Sequence, residues 1–269
     1  MYCFGVKAET LIRVLVAAHY SHQVQGPDKL KAVHGGIMLV APPGTLKTAI
    51  LKVALEGHAN VLGLSDINVQ GLGRLRHSIA DGKIKTLLFY EFAKLYQRNI
   101  AVSSNVEGVI SALVDEAYHK LAFDVQEAHA LPCGALVVGA MVPQFYEQQL
   151  KVWADSGFAR RFLWVMYRLK NPTMIQEAIA KWSSVDFGTE FRFRIPLSEI
   201  EYSLTEDEAR WIQSLLVHNH GIETPSILLQ KIACVLRWEF KALGKKDDTI
   251  RLLKEFAPAL GKHGAVLEI

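Results

Sequence analysis

The chain reads as an α/β protein, a parallel sheet at the centre of a three-layer sandwich, followed by a small helical domain. Three features predict this. Apolar runs of strand length alternate with longer stretches of helical spacing between residues 37 and 167, the pattern of parallel strands joined by crossover helices. One strand-to-helix junction, residues 41–48, is a Pro/Gly-rich loop that closes on Lys47-Thr48. Beyond Asn171-Pro172 the strands give way to two helical stretches, 203–218 and 227–243.

The elements follow in order. Residues 8–23 carry Leu11, Ile12, Leu15 and Val16 at helical spacing, with Thr10 as a candidate N-cap, which predicts an amphipathic helix ended by Gly26-Pro27-Asp28. The run Ile37-Met38-Leu39-Val40 is short and wholly apolar, as in a strand buried on both faces, and residues 48–56 form the helix after it. Strands are predicted at 60–64 and 86–90, with a helix around 72–80 between them. In the stretch 105–119, Val106, Val109, Ile110, Leu113, Val114 and Ala117 recur at i, i+3, i+4 spacing, the stripe of a helix lying on a sheet. A fourth strand begins at Ala135-Leu136-Val137-Val138, a helix covers 144–153, and a fifth strand covers 162–167. The chain then divides into an N-terminal helical segment (1–29), an α/β core (30–196) and a small helical domain (197–269) whose first helix is capped by Thr205 or Ser203.

Composition narrows the function classes. With 269 residues and 50% hydrophobic content the chain can bury a substantial core. A net charge of +3, from 30 basic and 27 acidic residues, permits a nucleic-acid partner without marking one. Cys3, Cys133 and Cys234 are widely separated and have no Cys-x-x-Cys spacing, so neither a disulfide framework nor a zinc site is expected and a reducing, cytoplasmic setting is. The apolar run 11–18 is interrupted by Arg13 and falls short of the roughly 20 residues of a membrane span, so no membrane association is expected.

The stretch Ala41-Pro42-Pro43-Gly44-Thr45-Leu46-Lys47-Thr48 aligns with the phosphate-binding pattern G-x-x-x-x-G-K-[ST] and lies between strand and helix, as that chemistry requires. Backbone N–H groups of Gly44, Thr45, Leu46, Lys47 and Thr48 at a helix N-terminus would meet phosphate oxygens. Lys47 would neutralise the β- and γ-phosphates of ATP, and the Thr48 hydroxyl would hold Mg²⁺. Ala41 and Leu46 stand where the pattern has glycine. Pro43-Gly44-Thr45-Leu46-Lys47-Thr48 resembles the loop of minichromosome-maintenance-type helicases, which also replace the second glycine.

Downstream features, in order, are similar to those of AAA+ ATPases over about residues 30 to 170, which implies a three-layer P-loop NTPase sandwich with a parallel sheet and a small C-terminal helical lid domain. Leu87-Leu88-Phe89-Tyr90-Glu91 resembles the Walker B strand. The resemblance makes Glu91 the general base that polarises water, while Tyr90 replaces the aspartate that orders the magnesium shell, leaving Asp66 and Ser65 as substitutes. Gln144 is the polar residue nearest the family's sensor position. Arg160 and Arg161, before the fifth strand, stand where the family carries an arginine finger, which acts on a neighbouring subunit's nucleotide and so implies a homo-oligomeric ring. Lys231 and Arg237 read as solvated helix residues.

Arg74-Leu75-Arg76-His77 with Lys83 and Lys85 is the densest basic cluster of the core, read first as a solvated helix face. Residues 120–133, with His119 and Lys120 at their start, lie where some AAA+ helicases place a pore hairpin. By this resemblance the chain is expected to be an oligomeric ATPase motor acting on DNA. The alternative is a nucleotide-dependent switch or scaffold with weak hydrolysis, favoured by the missing aspartate at position 90.

Overall fold

A computed structural model describes residues 8–26, 33–65, 67, 69–97, 100–115, 134–169, 193–216, 222–260 and 265–267. In chain order the elements are α1 (Ala8–His19), a 3₁₀ turn (Tyr20–Gln23), β1 (Val24–Gln25), β2 (Gly36–Val40), α2 (Lys47–Leu55), β3 (Val61–Leu64), α3 (Val69–Ala80), β4 (Thr86–Phe89) and α4 (Ile100–Asp115). They continue with β5 (Leu136–Met141), α5 (Pro143–Asp155), β6 (Phe162–Leu169), β7 (Ile200–Glu201), α6 (Glu206–Ser214), α7 (Glu223–Ala242), α8 (Thr249–Phe256) and β8 (Ala265–Leu267).

Strands β3-β4-β5-β2-β6 form a parallel sheet, extended to six strands by β8 along the far end of β6. Because side chains alternate across a strand, β2 feeds both faces. Ile37 and Leu39, with Leu88, Val138, Leu163 and Val165, point into a cluster shared with α1, α2 and α7. Met38 and Val40, with Leu87, Phe89, Val137 and Trp164, point into a second cluster shared with α4 and α5. The result is the three-layer α/β arrangement expected from the alternating pattern. Register is tight at Gly36, where an added Cβ would fall 2.3 Å from the Phe162 ring.

Helix α1 and several short elements differ from expectation. Helix α1 is buried almost all round, with only Glu9 exposed and Arg13 half-buried, so it is a core helix rather than an amphipathic surface one. Arg13 instead reaches the fully buried Glu239 of α7 with one guanidinium nitrogen and Glu9 with another at 3.1 Å. Stretch 197–269, expected as the lid, contributes Leu228, Ile232, Val235 and Leu236 of α7 to the same cluster as α1, α2 and the sheet. The short pairs β1/β7 and β6/β8 had no sequence signal, being two or three residues long, and α8 was not anticipated. Helix α6 starts at Glu206 behind a Thr205 capping box, in which Thr205 Oγ1 accepts from the Glu208 N–H and the Glu208 carboxylate accepts from the Thr205 N–H.

On the second face, Trp153 and Trp164 stack at 5.6 Å with their planes 22° apart. The Trp153 indole donates to Glu107 at 2.9 Å and to Tyr96 at 3.0 Å, and the Trp164 indole donates to the Ala159 carbonyl at 2.8 Å. Both rings are thereby buried with their polar atoms satisfied.

Candidate functional site

Strand β2 ends on the buried Ala41, whose N–H still pairs with the Met141 carbonyl at 3.2 Å, and the chain then turns through Pro42, Pro43 and Gly44 before α2 begins at Lys47. Two residues adopt left-handed backbone, Gly44 at φ +75° and Leu46 at φ +62°. Leu46 is thus the residue at which the phosphate pattern has glycine, and its backbone takes the conformation that glycine supplies without strain. It is also the residue preceding the first turn of α2, where the first N–H groups have no intrahelical partner.

The loop is braced from inside. Thr45 is buried, and its hydroxyl donates to the Pro42 carbonyl at 2.7 Å, while the Tyr167 hydroxyl of β6 donates to the Thr45 carbonyl at 3.3 Å. Lys47 turns back into the loop and donates to the Ala41 and Pro42 carbonyls, each at 2.7 Å. Burial lowers its ammonium from 10.5 to about 8, since the loop supplies carbonyl dipoles but no counter-charge. Pro43 and Thr48 are exposed, so the face that phosphates and a cation would occupy is open. Tyr167 as a brace had no signal in the sequence, because it comes from a strand 122 positions away.

Strand β4 ends beside this loop with β5 between it and β2. Strand spacing puts the backbone at Glu91 roughly 10 Å from that of β2. Glu91 is exposed and pairs with Lys94 at 2.9 Å, a surface contact too weak to fix the carboxylate. Tyr90 does not face the loop as a ligand. Its hydroxyl bonds Glu56 beyond the end of α2, its ring lies 6.0 Å from the Lys52 ammonium, and burial followed by the Glu56 charge raises the phenol above its ordinary value. Asp66 lies outside the described residues, and Ser65 is exposed at the end of β3. Among the described residues no group of three or more His, Cys, Asp or Glu is placed to hold a metal ion. Gln144 is exposed in the first turn of α5, and β5 itself ends on the buried Met141.

Arg160 and Arg161 form a 3₁₀ turn before β6. The pairing of Phe162 with Gly36 puts them at the edge where β2 begins, about 16 Å along that strand from the loop where it ends. The two differ in role. Arg161 is half-buried, lies 3.1 Å from Asp115 at the end of α4, and donates to the Gly157 carbonyl at 2.6 Å. Asp115 also accepts from Thr224 of α7 at 2.6 Å. Arg160 is exposed.

Several basic residues are not where a solvated reading puts them. Arg76 is 4% exposed, so the run 74–77 is not a continuous cationic face. Lys231 is buried and donates to the Val33 carbonyl at 2.6 Å, and Arg237 binds Glu208 and Asp247, tying α7 to α6 and to the turn before α8. The stretch 120–133, expected as a pore hairpin, lies outside the described residues.

No family model matches the chain, and no curated protein matches it. Among solved structures the chain is similar to one described as "SCCmec type IV Cch - active helicase", with a TM-score of 0.50 and 13% identity over 93% of this chain. The chain spans 46% of the length of that protein. At this identity the likeness is one of fold.

Proposed function

We propose that the chain is an ATP-binding and ATP-hydrolysing motor domain of AAA+ type, working in a ring of identical subunits on DNA. The observation that carries this reading is the loop 41–48, in which a strand and a helix hold Leu46 in glycine's conformation and turn the Lys47 ammonium inward. An inward ammonium above free helix N–H groups is an arrangement that selects phosphate oxygens. The fold likeness to a solved helicase supports a DNA motor over other uses of this sheet.

In this reading Lys47 exchanges its two carbonyl partners for the β- and γ-phosphates, and the N–H groups at the start of α2 hold the remaining oxygens. The exposed Thr48 hydroxyl is the protein ligand available to Mg²⁺, which when bound would neutralise charge between the phosphates. Glu91 leaves its exposed pair with Lys94 and accepts a proton from the attacking water. Gln144, in the first turn of α5 beyond the end of β5, serves as the sensor, and Arg160 supplies positive charge to a neighbour's γ-phosphate while Arg161 anchors the turn.

A second reading, a nucleotide-dependent switch with weak hydrolysis, is favoured by Tyr90, which is committed to Glu56 where an aspartate would order the metal shell. Steady-state ATP turnover with and without single-stranded and duplex DNA separates the two. The motor reading expects turnover stimulated by DNA, lost in Glu91→Gln with ATP still bound, and a fluorescent ATP analogue that no longer binds Lys47→Ala. Unchanged analogue affinity in Lys47→Ala overturns the loop assignment. Slow turnover indifferent to DNA and to Glu91→Gln favours the switch.

A further inference from the structure

An exposed arginine makes a poor finger unaided, because a long side chain loses rotamer freedom whenever it is held in one place. Arg160 is exposed, so what aims it is the turn beneath it. That turn is closely held. The Trp164 indole donates to the Ala159 carbonyl at 2.8 Å, and Arg161 Nη1 donates to the Gly157 carbonyl at 2.6 Å. Gly157 takes left-handed backbone at φ +73°, and a Cβ added there would lie 3.3 Å from Arg160 Nε and 3.4 Å from Arg161 Nη1. Both arginine side chains therefore lie across the bare backbone of Gly157.

Beyond that glycine, Arg161 reaches Asp115, the last residue of α4. Asp115 Oδ2 lies 3.1 Å from Arg161 Nε, with 15% and 16% of the two side chains exposed. Arg161 Nε makes no aligned hydrogen bond, so the attraction is one of charge. The other oxygen, Oδ1, accepts from the Thr224 hydroxyl at 2.6 Å, and Thr224 is buried in the first turn of α7. That bond fixes the rotation of the carboxylate and leaves Oδ2 aimed at Arg161. The end of α4 is itself pinned to the sheet. The Val114 carbonyl accepts from the His34 N–H at 3.0 Å and the Gly35 N–H at 2.7 Å, and the Leu113 carbonyl accepts from the Ala135 N–H at 3.1 Å. Asp115 is thus fixed in its backbone by the starts of β2 and β5 and in its side chain by α7.

We infer that Asp115 is the positioning residue of the arginine turn, oriented by Thr224 and acting through Arg161 to aim Arg160 at the nucleotide of a neighbouring subunit. The inference rests on the ring reading proposed above. Asp115 neutralises Arg161, which leaves the charge of Arg160 as the one the turn presents. Without it two guanidinium groups would face each other across Gly157, and their repulsion would turn the finger aside. A pair that only steadied the fold would respond differently to substitution.

The test is a mixing experiment on the full chain. Asp115→Asn keeps the shape of the side chain and removes its charge. It is expected to lower kcat for ATP by about 10–100-fold, the scale on which a displaced catalytic group is felt, while a fluorescent ATP analogue binds as before. Its own base is intact, so adding Glu91→Gln subunits, whose fingers are intact, should restore part of the turnover. In the Arg160→Ala chain, Asp115→Asn should cause no further loss. Thr224→Val should follow the same pattern with a smaller loss, and it carries the test if Asp115→Asn folds poorly. Unchanged turnover in both variants overturns the inference. So does a loss that persists in the Arg160→Ala chain, or one that mixing does not recover although a mixture of Arg160→Ala and Glu91→Gln does recover; Asp115 is then a structural clasp and the ring reading stands. If the Arg160→Ala mixture recovers nothing either, the ring reading falls and the inference falls with it.

Discussion

A side chain at φ +62° costs about 1–2 kcal/mol over glycine, yet Leu46 holds that conformation at the turn into α2. Leu46→Gly should therefore keep its melting point within a few degrees of the parent, relief of strain offsetting the flexibility gained by the unfolded chain. Leu46→Val should melt lower and lose ATP-analogue binding, because a branched β-carbon resists the left-handed region; equal stability of the two variants would show that the backbone there is not constrained. Lys47 gives a pH signature. Its ammonium titrates near 8 in the folded chain against 10.5 when unfolded, so between about 8 and 10.5 the unfolded chain holds more protons and the contribution of Lys47 to stability rises with pH. Phosphates hold the ammonium protonated, so binding above pH about 8 takes up a proton, and the Kd for ATP should rise by up to tenfold per pH unit there while staying flat below pH 7. A Kd flat from pH 7 to 9.5 would mean that Lys47 is not the phosphate partner. The turn from β2 into α2 at Lys47 was legible in the sequence because the loop is local, whereas Tyr90 facing Glu56 was not, since strand pattern alone does not say where an aromatic ring turns.

Between elements, the firmest tie on the first face is Arg13 of α1 to Glu239 of α7. Glu239 is fully buried, and burial raises its carboxyl above the ordinary value even against the Arg13 hydrogen bond and charge. Arg13→Met should cost about 3–5 kcal/mol in denaturant unfolding, since it strands a buried carboxylate, and adding Glu239→Leu should recover most of that loss. A single variant as stable as the parent would place the tie among surface contacts. The pair also explains why α1 was misread from its sequence. One charge in an apolar run looks like the edge of a solvated face, but here it answers a carboxylate 226 positions away. The strands and helices between residues 36 and 169 were legible because each repeats its own period locally, and their limits shifted by only a few residues. What could not be read is order across the sheet, since β2 lies between β5 and β6 through pairings that no local pattern encodes.

For the molecule as a whole, the Arg160-Arg161 turn and the phosphate loop sit at opposite ends of the same strand pair. Were Arg160 to act on ATP, it would act on another subunit's, so turnover should rise with protein concentration and Arg160→Ala should lower it roughly 10³-fold with ATP affinity retained. Mixing Arg160→Ala with Glu91→Gln should restore part of the turnover; a concentration-independent rate, indifferent to Arg160, would rule out a ring. Arg161→Ala should behave differently, destabilising the turn through the lost Asp115 contact. That turn adjoins the stacked Trp153 and Trp164, which are 0% and 1% exposed. Two indoles at this distance and angle couple their excited states, so the chain carries a built-in optical gauge of its second face. Its near-ultraviolet circular dichroism should contain a paired band of opposite signs that disappears in Trp153→Phe. Tracking that band during unfolding, beside the emission of the more exposed Trp211 and Trp238 on the first face, would show with no added label whether the two sides of the sheet come apart together.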